Sequence, residues 1–450
     1  VSAPPKIAVP ELQKVTWRTH YALFMLAIIY IFNYIDRLVV SILIEPIKAE
    51  FGVSDTLIGL VSGVAFALFY TIFGIPFSRL ADRIGRKPVI AMACVAWSVM
   101  TMLCGVTTSF ALLLLCRIGV AVGEAGGSAP SVAMVSALYP PAQRSRALAV
   151  LLMGPALGAV FGLGIGGWIA ETYGWRWAFI ATGAPGVLLG VLLALTVREP
   201  AKAPVPKELA RDEGFFATLT SLLKTPSYLL IILGASIAAI AGYAIATWNP
   251  SFLIRSHGLS LKQAGLLMGL GGGLIAVLGT LACGWFTDRM TARHPGWQLG
   301  AALFGSLLSI PFCLAFYLWP AGTAFELGAM PIPTAFFFYC GFAFFGMWWS
   351  VPCFGSMSLL FPPHKLAQGT AMLFMGITLF GVGLGPLVIG VISDVLEATV
   401  GEEALRYSLA STAGLLALSC VCLAMAIPRY LQQVTNNPLA PVETANPLRS

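Results

Sequence analysis

Twelve apolar runs, each long enough to cross a bilayer, take up nearly the whole chain and leave it few ways to fold. They fall at 19–44, 55–78, 88–106, 109–138, 147–171, 176–197, 227–254, 261–286, 298–319, 332–360, 367–393 and 406–428. A helix needs roughly 20 apolar residues to span the hydrocarbon core. Inside lipid every backbone N–H and C=O must be paired by the chain itself, which permits only helices or a closed barrel. Runs such as Val187–Val197 and Ala301–Leu318 lack the two-residue alternation of barrel strands. The expectation is an all-α polytopic membrane protein with twelve transmembrane helices. Only 10% of residues are charged, against about 25% in ordinary soluble domains.

One long polar stretch, Arg198–Pro226, carries Pro200, Pro204 and Pro206 among mixed charges and divides six runs from six. It reads as a linker. The expected layout is an N-terminal six-helix bundle (1–197), a cytoplasmic linker (198–226), a C-terminal six-helix bundle (227–430) and a cytoplasmic tail (431–450). The even-numbered connections and the two termini hold nineteen of the 26 basic residues. By the positive-inside rule, both termini should be cytoplasmic. The net charge of +7 is this asymmetry and does not call for a nucleic-acid partner. No apolar run precedes Tyr21, so no cleavable signal peptide is expected. The lack of glycosylation sequons favours a bacterial inner membrane.

The two halves repeat. Gly52-x-Ser54, Gly59, Gly63 and Asp82-Arg83 return 206 residues later as Gly258-x-Ser260, Gly265, Gly269 and Asp288-Arg289. Tyr139-Pro140-Pro141 returns as Phe361-Pro362-Pro363. Parallel repeats of this kind place a site between the halves near the midplane and rock about it.

Four ionisable residues lie at membrane depth in the first half. Asp36 and Arg37 interrupt the first run within Asn33-Tyr34-Ile35-Asp36-Arg37, and Arg117 and Glu124 interrupt the fourth. Such charges are expensive in lipid and mark functional sites. Arg117 and Glu124 are seven residues apart, so they share a helix face about 10 Å apart along the axis. The expectation is that Asp36 or Arg37 approaches this face across an aqueous cavity, and that the four form the proton-coupling site. Glu124 is expected to titrate, with Asp36 next; a purely structural quartet is the alternative.

The loop after the second run reads Ser78-Arg79-Leu80-Ala81-Asp82-Arg83-Ile84-Gly85-Arg86-Lys87. It resembles the signature of the major facilitator superfamily between helices 2 and 3, with Ser78 in place of the usual Gly. Gly284-x-x-x-Asp288-Arg289 is a degenerate second copy. The resemblance implies a cytoplasmic latch of Asp82, Arg83, Gly85, Arg86, Asp288 and Arg289, with Arg144 and Arg146 as partners for Asp82. Asn-Tyr-x-Asp-Arg, Phe51-Gly52-Val53-Ser54-Asp55 and Arg117…Gly123-Glu124-Ala125 together look like the spinster branch. That branch implies proton-coupled movement of a lysophospholipid or sphingoid phosphate by alternating access.

The second half has no comparable charges at membrane depth. It carries aromatics instead: Tyr243 and Trp248 beside Asn249, then Tyr339, Phe342 and Trp348. With Asn33 and Tyr34, these are the expected substrate contacts. Charge on one wall and aromatics on the other suit an anionic amphipath, with small organic anions or multidrug export as the alternative. The nine cysteines and four histidines show no metal or disulfide spacing, so no metal, cofactor or enzymatic centre is expected. The expected partners are substrate, protons and membrane lipids, with the chain a monomer.

Overall fold

In the computed structural model, residues 15–199, 224–327, 330–361 and 363–435 are described. Most of the expected linker and tail, 200–223 and 436–450, lie outside them, as does Pro362 of the repeated Pro-Pro. Twelve membrane-length helical segments follow in order. They are α1 (Trp17–Phe51), α2 (Asp55–Ile84), α3 (Arg86–Cys104), α4 (Phe110–Leu138), α5 (Arg146–Tyr173), α6 (Trp175–Thr196), α7 (Pro226–His257), α8 (Leu261–Thr291), α9 (Trp297–Leu318), α10 (Ala335–Leu360), α11 (363–400) and α12 (404–435). Gly401, at φ 58°, ends α11 and lets α12 turn back. One departure from the all-α expectation is a hairpin before α10, β1 (Ala324–Leu327) paired antiparallel with β2 (Met330–Pro333). Pro331 and Pro333 lack the N–H groups a helix needs, so the run expected from 332 turns helical only at Ala335.

The repeated Gly-x-Ser has a local cause. Gly52 and Gly258 end α1 and α7 in the left-handed region, at φ 62° and 66°, which disfavours a side chain. Ser54 and Ser260 then cap α2 and α8, accepting from the N–H of Leu57 and Gln263 at 3.3 Å.

Packing obeys the same repeat. In the first half α1 lies on α5, α2 on α4 and α3 on α6; in the second, α7 lies on α11, α8 on α10 and α9 on α12. Small residues set some of these approaches. A Cβ at Gly158 of α5 would collide with Tyr34 of α1, which is the work of the Gly154/Gly158/Gly162/Gly166 series.

The halves meet through α2 on α11 and α5 on α8, again a pair exchanged by the repeat. These contacts lie toward the Gly52/Gly258 face. A Cβ on Gly59 would sit 2.6 Å from the Pro386 carbonyl, and one on Gly265 would strike the Leu163 carbonyl. At the other face, where α1 begins and α12 ends, segments Pro141–Leu151 and Pro363–Gly376 pack within their own halves among the described residues. The protein is therefore closed at one face. Short π-helical stretches, Leu60–Val64 in α2, Leu267–Gly272 in α8 and Ile377–Val382 in α11, sit in the helices that make this closure.

Candidate functional site

Neighbouring residues on a helix point about 100° apart, so Asp36 and Arg37 cannot face the same surroundings. Arg37 turns toward α4 and α2. Its Nε donates to Glu124 Oε2 at 2.5 Å, with the arginine side chain 19% exposed and the glutamate fully buried. The guanidinium carbon lies 5.1, 4.9 and 4.7 Å from the ring centres of Tyr34, Phe66 and Tyr70. Its Nη2 has no hydrogen-bond partner.

Asp36 turns into the bundle. It is fully buried, and neither carboxyl oxygen is hydrogen-bonded. Arg117, also buried, donates from Nη1 to the Asp36 backbone carbonyl at 3.2 Å and leaves the carboxyl alone. Trp97 and Thr101 of α3 lie alongside. The first segment of α4 ends at Ala125, directly after Glu124, and Gly126-Gly127 break the helix there. Arg37 and Glu124 thus meet in direct contact between α1 and α4, without the separation expected, while Arg117 reaches α1 only at the Asp36 backbone.

The expected substrate residues divide. Tyr34 packs on Arg37, and Asn33 is buried close to Glu124 with its amide unbonded. Tyr243 of α7 is 40% exposed and comes within electrostatic reach of Arg37, Tyr34 and Tyr70, although it belongs to the other half. The remainder are committed to packing. Trp248 is fully buried and donates its indole N–H to the Pro386 carbonyl at 2.9 Å. Asn249 accepts from the Tyr317 hydroxyl at 2.6 Å. Tyr339 stands 5.0 Å from Phe316, and Phe342 and Trp348 are buried, the latter among Phe286, Phe304, Phe344 and Phe345. Their rings, the Trp248 N–H and the Asn249 carbonyl make helix-to-helix contacts inside the second bundle, while the Asn249 amide nitrogen and the Trp348 indole nitrogen are buried without a partner. An apolar groove of about 340 Å³, lined by Trp297, Leu303, Ile427 and others on α9 and α12, lies away from the charges.

The closed face holds a second charge network that the sequence reading did not single out. Asp55 receives both Nη groups of Arg255, at 2.8 and 2.9 Å, the Ser393 hydroxyl at 2.8 Å and the Lys48 ammonium. Arg255 also donates from Nε to Glu45 at 2.9 Å. Asp394 of α11 accepts from the backbone N–H of Asp55 and Thr56 at 2.9 and 2.8 Å. It therefore caps the N-terminus of α2, where unpaired N–H groups and the helix dipole favour an anion. Glu171 of α5 does the same for α8, accepting from Lys262 N–H at 2.8 Å. The repeat that brings α2 onto α11 brings α5 onto α8, and each pair carries one such carboxylate.

At the other face, the turn between α2 and α3 is seated by Glu199. Its two carboxyl oxygens accept from Arg86 N–H and Lys87 N–H at 2.7 and 2.6 Å, capping α3 beside Gly85 at φ 108°. Arg86 also donates to the Ala133 carbonyl at 2.9 Å. Asp82, Arg83, Arg146, Asp288 and Arg289 are exposed and Arg144 is half-buried. Glu199 was legible only as one charge at the start of the linker.

Twelve spanning helices in two related halves, closed at one face over a buried charge cluster, define a membrane transporter architecture. The family profile of the Major Facilitator Superfamily matches residues 26–379. The chain belongs to that superfamily, and its members are transporters, not enzymes. It is 34% identical over 420 residues to an MFS-type efflux pump of Mycolicibacterium smegmatis, covering 93% of this chain and 94% of that one. Protein spinster homolog 1 of Xenopus tropicalis is 28% identical, over 84% of this chain and 74% of its own. A solved bacterial homologue of the human lysosomal transporter Spinster, inward-facing and unoccupied, superposes with a TM-score of 0.78. It is 29% identical and covers 94% of this chain and 98% of its own.

Proposed function

We propose that the protein is a proton-coupled secondary transporter that moves an anionic amphipath, a lysophospholipid or sphingoid phosphate, by alternating access. The observation that carries the reading is Asp36: a fully buried carboxyl with no hydrogen bond, beside an arginine already paired to Glu124. A carboxylate at membrane depth with no ion pair of its own is costly, roughly 2.5 kcal/mol or more on insertion scales, and a proton is one way to neutralise it. Glu124 was the expected titrating residue; its contact with Arg37 moves our assignment to Asp36. Arg37, whose side chain is part-exposed and whose buried Nη2 has no hydrogen-bond partner, is the seat for the anion in this reading, with Tyr34 and Tyr243 beside it.

The basic asymmetry of the loops assigns the face where α1 begins and α12 ends to the cytoplasm. The Gly52/Gly258 face is then the outer one, and the conformation is inward-facing, as in the similar spinster homologue. A multidrug-type exporter of small organic ions is the second reading, favoured by the likeness to the mycolicibacterial efflux pump. Proteoliposome uptake of radiolabelled lysophosphatidylglycerol, xylose and small carboxylates, with and without an imposed pH gradient, tests both. Gradient-dependent movement of the lysolipid alone is expected. Selective movement of the small ions would favour the second reading, and indifference to the gradient would refute coupling.

A further inference from the structure

Two aromatic side chains of α2 remain outside this scheme. Phe66 and Tyr70 stack on one another, ring centres 5.7 Å apart at 18°, and both present a face to the Arg37 guanidinium. Phe66 also lies 5.9 Å from the Arg117 guanidinium, so one ring stands against both arginines of the cluster. An aromatic face attracts a cation through its quadrupole, and the attraction grows when the cation is desolvated. Arginine suits this surrounding because its planar group is weakly hydrated and stacks.

The same helix carries the closure of the outer face. Asp55 and Thr56 are held by Asp394, and Gly59 lies on Pro386. Between that anchor and Phe66 runs the π-helical stretch Leu60–Val64. Such stretches recur inside α-helices at functional sites.

We propose that Phe66 and Tyr70 are positioning residues that link the outer closure to Arg37. While α2 is anchored on α11, their ring faces hold the guanidinium on Glu124, with Nη2 buried and left without a hydrogen-bond partner. When the anchor is released and α2 moves, the rings move with it and Arg37 is freed. The inference rests on the transport reading above and uses ring faces, not the Tyr70 hydroxyl.

The test compares Tyr70→Phe and Phe66→Tyr with Tyr70→Leu and Phe66→Leu in the full chain. Two readouts are taken: counterflow of radiolabelled lysophosphatidylglycerol, and hydrogen–deuterium exchange of the α1 and α2 peptides without substrate. The leucine variants should lose roughly tenfold or more in the apparent affinity for the lysolipid, the order of a desolvated cation–π contact. They should also exchange faster around Arg37, while both aromatic variants restore wild-type values. Wild-type affinity and exchange in the leucine variants would overturn the proposal, as would a Tyr70→Phe loss equal to that of Tyr70→Leu. If the wild type moves no lysolipid, the substrate assignment fails, and the exchange arm still decides the role of the rings. A leucine variant that unfolds is replaced by Phe66→Met or Tyr70→Met, which keep bulk without a ring.

Discussion

Side chains at consecutive positions of α1 divide two tasks between them. Arg37 meets Glu124 and the space between the halves, while Asp36 is turned into the bundle against Trp97 and Thr101. The sequence made both residues conspicuous, because charge inside an apolar run is a strong contrast. It could not assign them, since a one-residue offset is settled by which way the helix is rotated. The aromatics were harder still. Tyr70 and Phe66 at the site look no different in sequence from Trp248 and Trp348 in the packing of the second half. Substituting Arg37→Lys keeps the charge but loses the planar stacking group and the fork geometry. Binding of lysophosphatidylglycerol, measured by isothermal titration in detergent, should weaken by about tenfold, and an unchanged affinity would remove Arg37 from the anion seat.

Among the elements, α2 and α8 do the most. Each begins after a left-handed glycine and a serine cap, and each has its N-terminus closed by a carboxylate from the opposite half, Asp394 or Glu171. The Gly-x-Ser repeat announced the turns. The carboxylates went unread because a cap between Asp55 and Asp394 joins residues 339 positions apart, beyond any local pattern. Removing the charge with Asp394→Asn or Glu171→Gln should weaken the closure at the Gly52/Gly258 face by about 1 kcal/mol each, the scale of a charge at a part-exposed helix end. The population open at the Gly52/Gly258 face should rise by several-fold, as read from electron-spin distances across that face, with the double variant showing more. Close approach gives a second prediction. Gly158→Leu forces α5 away from Tyr34 of α1 and should lower the melting temperature in detergent, as overpacking by about 1–3 kcal/mol does.

At the scale of the molecule, the twelve spans and the duplication were open to reading from hydropathy and spacing alone. Backbone satisfaction in lipid leaves a chain this apolar almost no other solution. The exchange of contacts between halves was not: α2 on α11 and α5 on α8 follow from the symmetry axis, which a sequence repeat implies but does not orient. Nor could sequence say which face is shut. A closure made of a few ion pairs and helix caps differs between states by only a few kcal/mol, which suits a carrier that must occupy both. In the proton-coupled transport proposed above, protonation of the buried Asp36 carboxyl is what tips that balance. The most direct measurement is transport by Asp36→Asn in proteoliposomes, in two modes with the same labelled lysolipid. Counterflow at zero pH gradient should persist near the wild-type rate, while uphill accumulation driven by an imposed gradient should vanish. Gradient-driven accumulation at the wild-type level in Asp36→Asn would contradict the assignment of the proton to this residue.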